Sequence, residues 1–200
     1  MALPGEADTS VSLRIPKHMP LPTSNNRGSD IRIRRIRPEE WPAHRDLRLR
    51  ALAQDPLAFG STFERERGFS DEKWKDLTLR GAASEQSALF VADAGRAGMV
   101  GMVAIVFVDD VWHVFAMWVE PRRRRRGLGG KLLDAALDWF QTVAPDRPLL
   151  LEVNPRQEEA LRLYERRGFR STGRSAPLGH AEGEKVVAMV RDVRPASPGR

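Results

Sequence analysis

A mixed α+β sheet of six to seven strands, with helices on both faces, is the fold class that this sequence predicts. Three observations point to it. Apolar runs of strand length alternate with stretches of helical period between residues 31 and 193. Two of the runs, 99–108 and 111–119, are apolar on both faces and so belong at the centre of a sheet. A glycine-rich turn then joins the second run to a long amphipathic stretch.

In chain order, IRIRRIR at 31–37 places Ile31 and Ile33 on one face of a first strand. Pro38, Glu39 and Glu40 suit a helix start, and Leu47, Leu49 and Leu52 continue a helix to about Gln54. DPLAFGST is a turn-rich link, after which a second helix covers roughly Asp71 to Arg80. Strands follow at 88–92 and 99–108, joined by AGRAG, and at 111–119, ended by Pro121. Leu128, Leu132, Ala136 and Phe140 recur at steps of four, the mark of a helix with one apolar face. Leu149 to Val153 reads as a buried strand, and a helix from Gln157 to Arg167 turns Ala160, Leu163 and Tyr164 inward before Gly168 stops it. Strands at 169–172 and 185–190 complete the series. Residues 1–30, rich in Pro, Ser, Asn and Gly, read as a flexible arm, and 194–200 as a flexible tail.

Composition narrows the chemistry. The chain has no cysteine, which excludes disulfides, thiolate metal sites and a cysteine nucleophile and fits a cytoplasmic protein. It has no apolar stretch long enough to span a membrane, and its start lacks the build of a secretory signal. No carboxylate and histidine cluster has metal-ligand spacing, so no metal is expected. Net charge is +6, and Arg122 to Arg126 alone supply five positive charges, so the basicity is focused on one anionic partner.

That run lies within MWVEPRRRRRGLGGKLL, 117–133, where a strand passes through a glycine-rich turn into a helix N-terminus. Free backbone N–H groups and the helix dipole favour an anion there, and arginines add charge-assisted bonds to phosphate oxygens. Gly127, Gly129 and Gly130 let a ligand approach the backbone. The pattern lacks the GK[ST] of a P-loop and the spacing of GxGxxG, so a diphosphate ligand of another type is implied. Nucleic acid is the weaker reading, because no aromatic interleaves the arginines as a stacking platform requires.

Val119, Pro121, Arg124, Gly127 and Gly129 spell V-x-P-x-x-R-x-x-G-x-G, which resembles the acetyl-CoA signature of the GCN5-related N-acetyltransferase (GNAT) family. A second match lies downstream in 151–173, where ALRLYERRGF carries the family's A-x-x-L-Y-x-x-x-G-F run. The order of elements from Ile31 to Val190 fits as well. The resemblance implies a fold whose fourth and fifth strands, 111–119 and 149–153, splay apart to admit the pantetheine arm of acetyl-CoA. That arm would pair with backbone near Met117, Trp118 and Val119. The pyrophosphate would sit on the amides from Arg125 through Arg126, Gly127, Leu128 and Gly129 to Gly130, with the Arg124 and Arg126 side chains on phosphate. Family members commonly carry Asn seven residues before the tyrosine. That position is Gln157 here and Asn154 lies three residues earlier, so the contact to the cofactor arm stays open between the two amides.

Acyl transfer to an amine needs a neutral nucleophile, a polarised carbonyl and a protonated leaving thiolate. Without cysteine, direct attack on bound acyl-CoA is simpler than a covalent acyl-enzyme. The resemblance gives Tyr164, the one tyrosine of the chain, the role of general acid to the CoA sulfur. An unperturbed phenol, with a pKa of about 10, keeps its proton at neutral pH. The general base stays open among Glu120, Glu152, the pair Asp109 and Asp110, His113, and a chain of waters. The acceptor site is expected around Phe59, Gly60 and Ser61 and the loop at 174–184. Trp112 and Trp118 are candidates for its wall, and Glu64 and Glu66 for attracting a cation. The reading is an N-acetyltransferase acting on a primary amine of a small molecule or peptide. Its alternatives are a protein N-terminal or lysine acetyltransferase and a non-catalytic acyl-CoA- or nucleic-acid-binding module. The resemblance leaves a homodimer open.

Overall fold

The computed structural model describes residues 31–192; the expected arm at 1–30 and tail at 194–200 lie outside the described residues. The strands are β1 (Arg32–Arg35), β2 (Ser87–Asp93), β3 (Met99–Val108), β4 (Val111–Val119), β5 (Leu149–Val153), β6 (Arg170–Pro177) and β7 (Lys185–Arg191). The helices are α1 (Trp41–Gln54), α2 (Phe63–Arg67), α3 (Asp71–Ala83), α4 (Leu128–Val143) and α5 (Glu158–Glu165).

The strands form one seven-stranded sheet in the order β1-β2-β3-β4-β5-β7-β6. Every neighbouring pair is antiparallel except β4 and β5. A parallel pair needs a crossover, and α4 supplies it. On one face α4 and α5 cover a core of Val103, Ile105, Trp112, Leu132, Leu133, Phe140, Leu149 and Leu151. On the other face Leu47, Ala51 and Leu52 of α1 pack on Leu89, Val91, Met102 and Trp118. The apolar steps of α4 fall on its buried side, as the sequence requires.

Three boundaries differ from the sequence expectation. A short helix, α2, follows the turn-rich link DPLAFGST, where the sequence predicts no element before Asp71; Thr62 caps it by accepting from the Arg65 amide at 3.2 Å. One and a half turns are too few to show a period. Strand β6 runs on to Pro177 rather than ending at Thr172, although all its residues are exposed, because backbone pairing with β7 holds it. Helix α5 ends at Glu165, with Gly168 at φ +84° closing the turn behind it.

The feature that positions the site is the junction of β4 and β5. Only Trp112 with Leu149 and His113 with Leu150 are paired. Beyond them β4 continues to Val119 and β5 to Val153 with no partner in each other, so the sheet opens as a V. A bulge in β4 lies along this unpaired stretch. Ala104 and Met102 of β3 face Phe115 and Trp118, which leaves one extra residue in β4, and Ala116 takes a left-handed φ of +53°.

Candidate functional site

The opening of the V is part of a cavity of about 1460 Å³. This exceeds the roughly 300–1000 Å³ that serves one drug-sized molecule, so it has room for two reactants. One end lies against the glycine-rich turn. Gly127 caps α4 in a left-handed conformation, φ +74°, and the first bond of the helix runs from the Lys131 amide to the Gly127 carbonyl at 3.1 Å. The amides of Leu128, Gly129 and Gly130 therefore precede the first intrahelical donor, and all three residues line the cavity. A Cβ on Gly129 would meet Met117 Cε at 3.3 Å and Leu163 Cδ2 at 3.5 Å, so hydrogen at that position keeps the passage between β4 and α5 open.

Of the arginine run, Arg124 and Arg125 line the cavity, and Arg126 does not. The guanidinium of Arg124 is already engaged: its Nε donates to the Val119 carbonyl at 2.8 Å and its two Nη atoms to the Asp55 carboxylate. Asp55 also accepts from Trp118 Nε1 at 2.7 Å. Among the described residues Arg125 reaches only Glu159, at 3.7 Å, and it is largely exposed. Met117, Trp118 and Val119 all line the space left by the missing β4–β5 pairing.

The two candidate amides differ. Gln157 faces the cavity at the start of α5. Asn154 also lines the cavity, but it is buried and its amide is engaged, with Oδ1 accepting from the Arg156 amide at 2.9 Å and Nδ2 donating to Glu184 at 3.0 Å. Arg156 closes the same group through a 2.7 Å ion pair with Glu184. Asn154 thus ties the end of β5 to the β6–β7 loop. That loop spans the cavity: Leu178 and Gly179 line it, beside Pro177 at the end of β6, and His180 Nε2 lies 3.2 Å from the Pro56 carbonyl on the α1–α2 link. Phe59 and Gly60 of this link also line the cavity, whereas Ser61 lies outside it.

Tyr164 stands where the V opens, buried against Phe169 with ring centroids 5.8 Å apart. It lines the cavity, and its hydroxyl has no hydrogen-bond partner among the described residues. Burial pushes its phenol well above the ordinary range, so it holds its proton. His113 and Glu152 line the far end. Burial lowers the His113 pKa, against smaller opposing effects of Glu152 and Asp109, so the imidazole is neutral at neutral pH. Asp55, Glu158 and Glu159 line the cavity in ion pairs with Arg124, Arg162 and Arg125. Glu152 has no ion-pair partner among the described residues.

Other expected acceptor residues sit elsewhere. Trp112 is buried against Phe107, Trp139 and Phe140, away from the cavity. Glu66 is buried in a two-bond pair with Arg48, at 2.7 and 2.9 Å, and Glu64 is exposed outside the cavity. Three residues that the sequence did not single out shape the site. They are Arg48, which lies 4.5 Å above the Phe59 ring, the clasp residue Asp55, and Ala116 at the bulge. An acid whose partner lies far along the chain and a left-handed alanine leave no local pattern to read.

The sequence profile of the acetyltransferase (GNAT) family matches residues 36–169. Among solved structures the chain is similar to an acetyltransferase of the GNAT family from Streptococcus pneumoniae, with 23% identity and a TM-score of 0.68 over 80% of this chain and 98% of the other. It is similar to yncA from Salmonella typhimurium, solved with its cofactor acetyl-CoA, at 15% identity and a TM-score of 0.67 over 86% and 99%. It is also similar to spermidine N-acetyltransferase from Vibrio cholerae, solved with CoA and spermine, at 17% identity and a TM-score of 0.62 over 81% and 95%. At these identities the likeness is one of fold. No curated protein matches the chain.

Proposed function

The chain belongs to the GNAT acetyltransferase family, and from that premise we propose that it transfers an acetyl group from acetyl-CoA to a primary amine of a small molecule or peptide by direct attack. The observation that carries this reading is the convergence, in one cavity, of an unpaired strand edge, a helix N-terminus with free amides and a protonated tyrosine.

The residues present fit acetyl-CoA. The amides of Leu128 to Gly130 and the side chain of Arg125 suit the diphosphate. The unpaired edge of β4 from Ala116 to Val119 offers backbone donors and acceptors to the amide-bearing pantetheine arm, as an added strand would. Gln157 and Asn154 both line this space, but the Asn154 amide is taken up by Glu184 and the Arg156 amide, which leaves Gln157 for the pantetheine arm. Arg124 acts on the turn through Asp55 and Val119 rather than as a free phosphate ligand.

The chemistry follows from the remaining side chains. Glu152 draws the ammonium group of the acceptor to the far end of the cavity. His113, neutral there, accepts the proton that frees the nitrogen lone pair. Nitrogen attacks the thioester carbonyl, whose oxygen takes a backbone N–H of the bulged stretch of β4. The carbon–sulfur bond breaks, Tyr164 gives its proton to the departing thiolate, and the second proton shed by the attacking nitrogen returns to the phenolate through solvent. The test is acetyl-CoA turnover against a panel of amines, followed as free thiol, with CoA affinity measured by calorimetry. Amine-dependent thiol release supports the reading; no heat with CoA or acetyl-CoA overturns it.

A further inference from the structure

Strand register places five cavity-lining residues on one face of the sheet. Val106 pairs with His113, and Phe115 lies two residues beyond it. His113 pairs with Leu150, which puts Glu152 on the same side. Glu152 pairs with Ala188, and Val186 follows by alternation. All five of Val106, His113, Phe115, Glu152 and Val186 line the cavity. The packed core on this face ends at Ala104, Ala116 and Trp118, so the floor beyond them carries no helix.

The floor has a definite chemistry. The Phe115 and His113 rings stack at 5.4 Å with planes 24° apart, and Phe115 remains 47% exposed. Together they form a flat apolar shelf, flanked by two valines. One carboxylate, Glu152, rises from it, free of any ion-pair partner among the described residues. The α1 cation that lines the cavity, Arg48, is paired with Glu66.

From this arrangement we propose that the acceptor is a monocation: a primary amine on a short arm attached to an aromatic ring. The ammonium group pairs with Glu152 and the ring lies on the Phe115–His113 shelf. Offset stacking on such a shelf adds to the gain from apolar burial. One free carboxylate balances one ammonium group. A polyamine would leave its other charges unmatched in an apolar slot, at a desolvation cost. A peptide would present amide groups to a floor made of side chains, since the backbone bonds of a sheet lie in its plane. The proposal rests on the acetyltransferase reading and narrows its acceptor.

The experiment compares kcat/KM for 2-phenylethylamine, spermidine and an alanine-initiated peptide at saturating acetyl-CoA. It does so for the native chain, Phe115→Ala and Glu152→Gln, with CoA affinity and oligomeric state measured for each. The aryl amine should be favoured over both others by about tenfold or more, the scale on which one apolar contact set discriminates. Phe115→Ala should lower its kcat/KM by a similar factor and leave CoA affinity unchanged. Glu152→Gln should raise its KM. Preference for spermidine or the peptide overturns the proposal while leaving acetyl transfer intact. The same holds if Phe115→Ala leaves the aryl amine unaffected. So does a shift in oligomeric state with Phe115→Ala and no change in acceptor kinetics, which would make the face a contact between copies. Absence of heat with acetyl-CoA removes the underlying reading and this one with it.

Discussion

Asp55 and Arg124, 69 residues apart, form a two-bond ion pair that joins the end of helix α1 to the turn before α4. Because Asp55 also receives Trp118 Nε1, three segments that wall the cavity share one carboxylate. Asp55→Asn keeps the shape and removes the charge. Both groups are partly exposed, so the loss should be modest, about 1–2 kcal/mol in urea denaturation. The Michaelis constants for acetyl-CoA and for the amine should rise together, because the link and the turn loosen together. A rise in one alone would show that the two walls move independently.

Gly129 and Gly130 are adjacent and separable. Gly129→Glu sends a side chain toward Met117 and Leu163 and sets a carboxylate beside the expected diphosphate. Such a clash with like charge costs several kcal/mol, a loss of roughly 100-fold or more in CoA affinity by calorimetry. Gly130→Ala points its Cβ at Arg167 Nη2, away from Met117 and Leu163. Arg167 can swing from its exposed pair with Asp134, so CoA affinity should stay within about twofold. Equal losses from the two variants would mean that the turn, rather than its cavity side, is what matters.

Tyr164→Phe removes one oxygen atom from a buried ring that has no internal hydrogen-bond partner among the described residues. Folding should be unaffected. If the phenol protonates the leaving thiolate, kcat should fall by about 100-fold, the scale of a general acid, with CoA affinity unchanged. Stopped-flow measurement of the acetyl-transfer step separates this from slow product release; an unchanged rate there removes the role.

His113 sets the acid limb of the pH profile. Its folded pKa lies below the ordinary 6.5 because burial disfavours the charged ring, while Glu152 and Asp109 act weakly in the other direction. The neutral base is therefore present at neutral pH and is lost as pH falls through that lowered value. The acid limb of kcat/KM should have its midpoint below 6.5, and His113→Gln should flatten it. A limb unmoved in that variant assigns the proton to another group.

His44 couples stability to pH. Its ring is buried beside Trp74, and Nδ1–H donates at 2.8 Å to the Thr78 hydroxyl, which itself donates to the Trp74 carbonyl. Burial depresses its pKa from 6.5 to about 4, with Arg48 adding to the shift and Glu66 opposing it. The unfolded chain takes up the proton first, so stability is full above 6.5 and is lost as pH falls through about 4. At most roughly 3 kcal/mol is involved. Urea midpoints at pH 7.5 and pH 5 should differ less in His44→Gln than in the native chain.

Much of this was legible in the sequence, for physical reasons. The steps of four from Leu128 to Phe140 follow from burying one helix face, and they lie on the buried face of α4. Val119, Pro121 and the glycines mark a strand end, a turn and a helix start, because each needs a backbone freedom or restriction that its residue type supplies. Residue partnerships were not legible. Nothing near Asn154 announces Glu184, 30 residues on, and nothing near Arg124 announces Asp55. The left-handed bulge residue is an alanine, which gives no hint of φ +53°. Local sequence encodes elements, whereas the site is completed by pairs that only the closed sheet brings within reach.

Among the described residues, two rungs of pairing between β4 and β5 are all the strand pairing that stitches β1 through β4 to β5, β7 and β6. The molecule is thus two half-sheets sharing a seam, braced from one side by α4 and α5. A ligand lying along the open length of that seam would act as a splint. The frame would then be stiffest at the moment of reaction and most compliant while empty, when reactants must enter and leave.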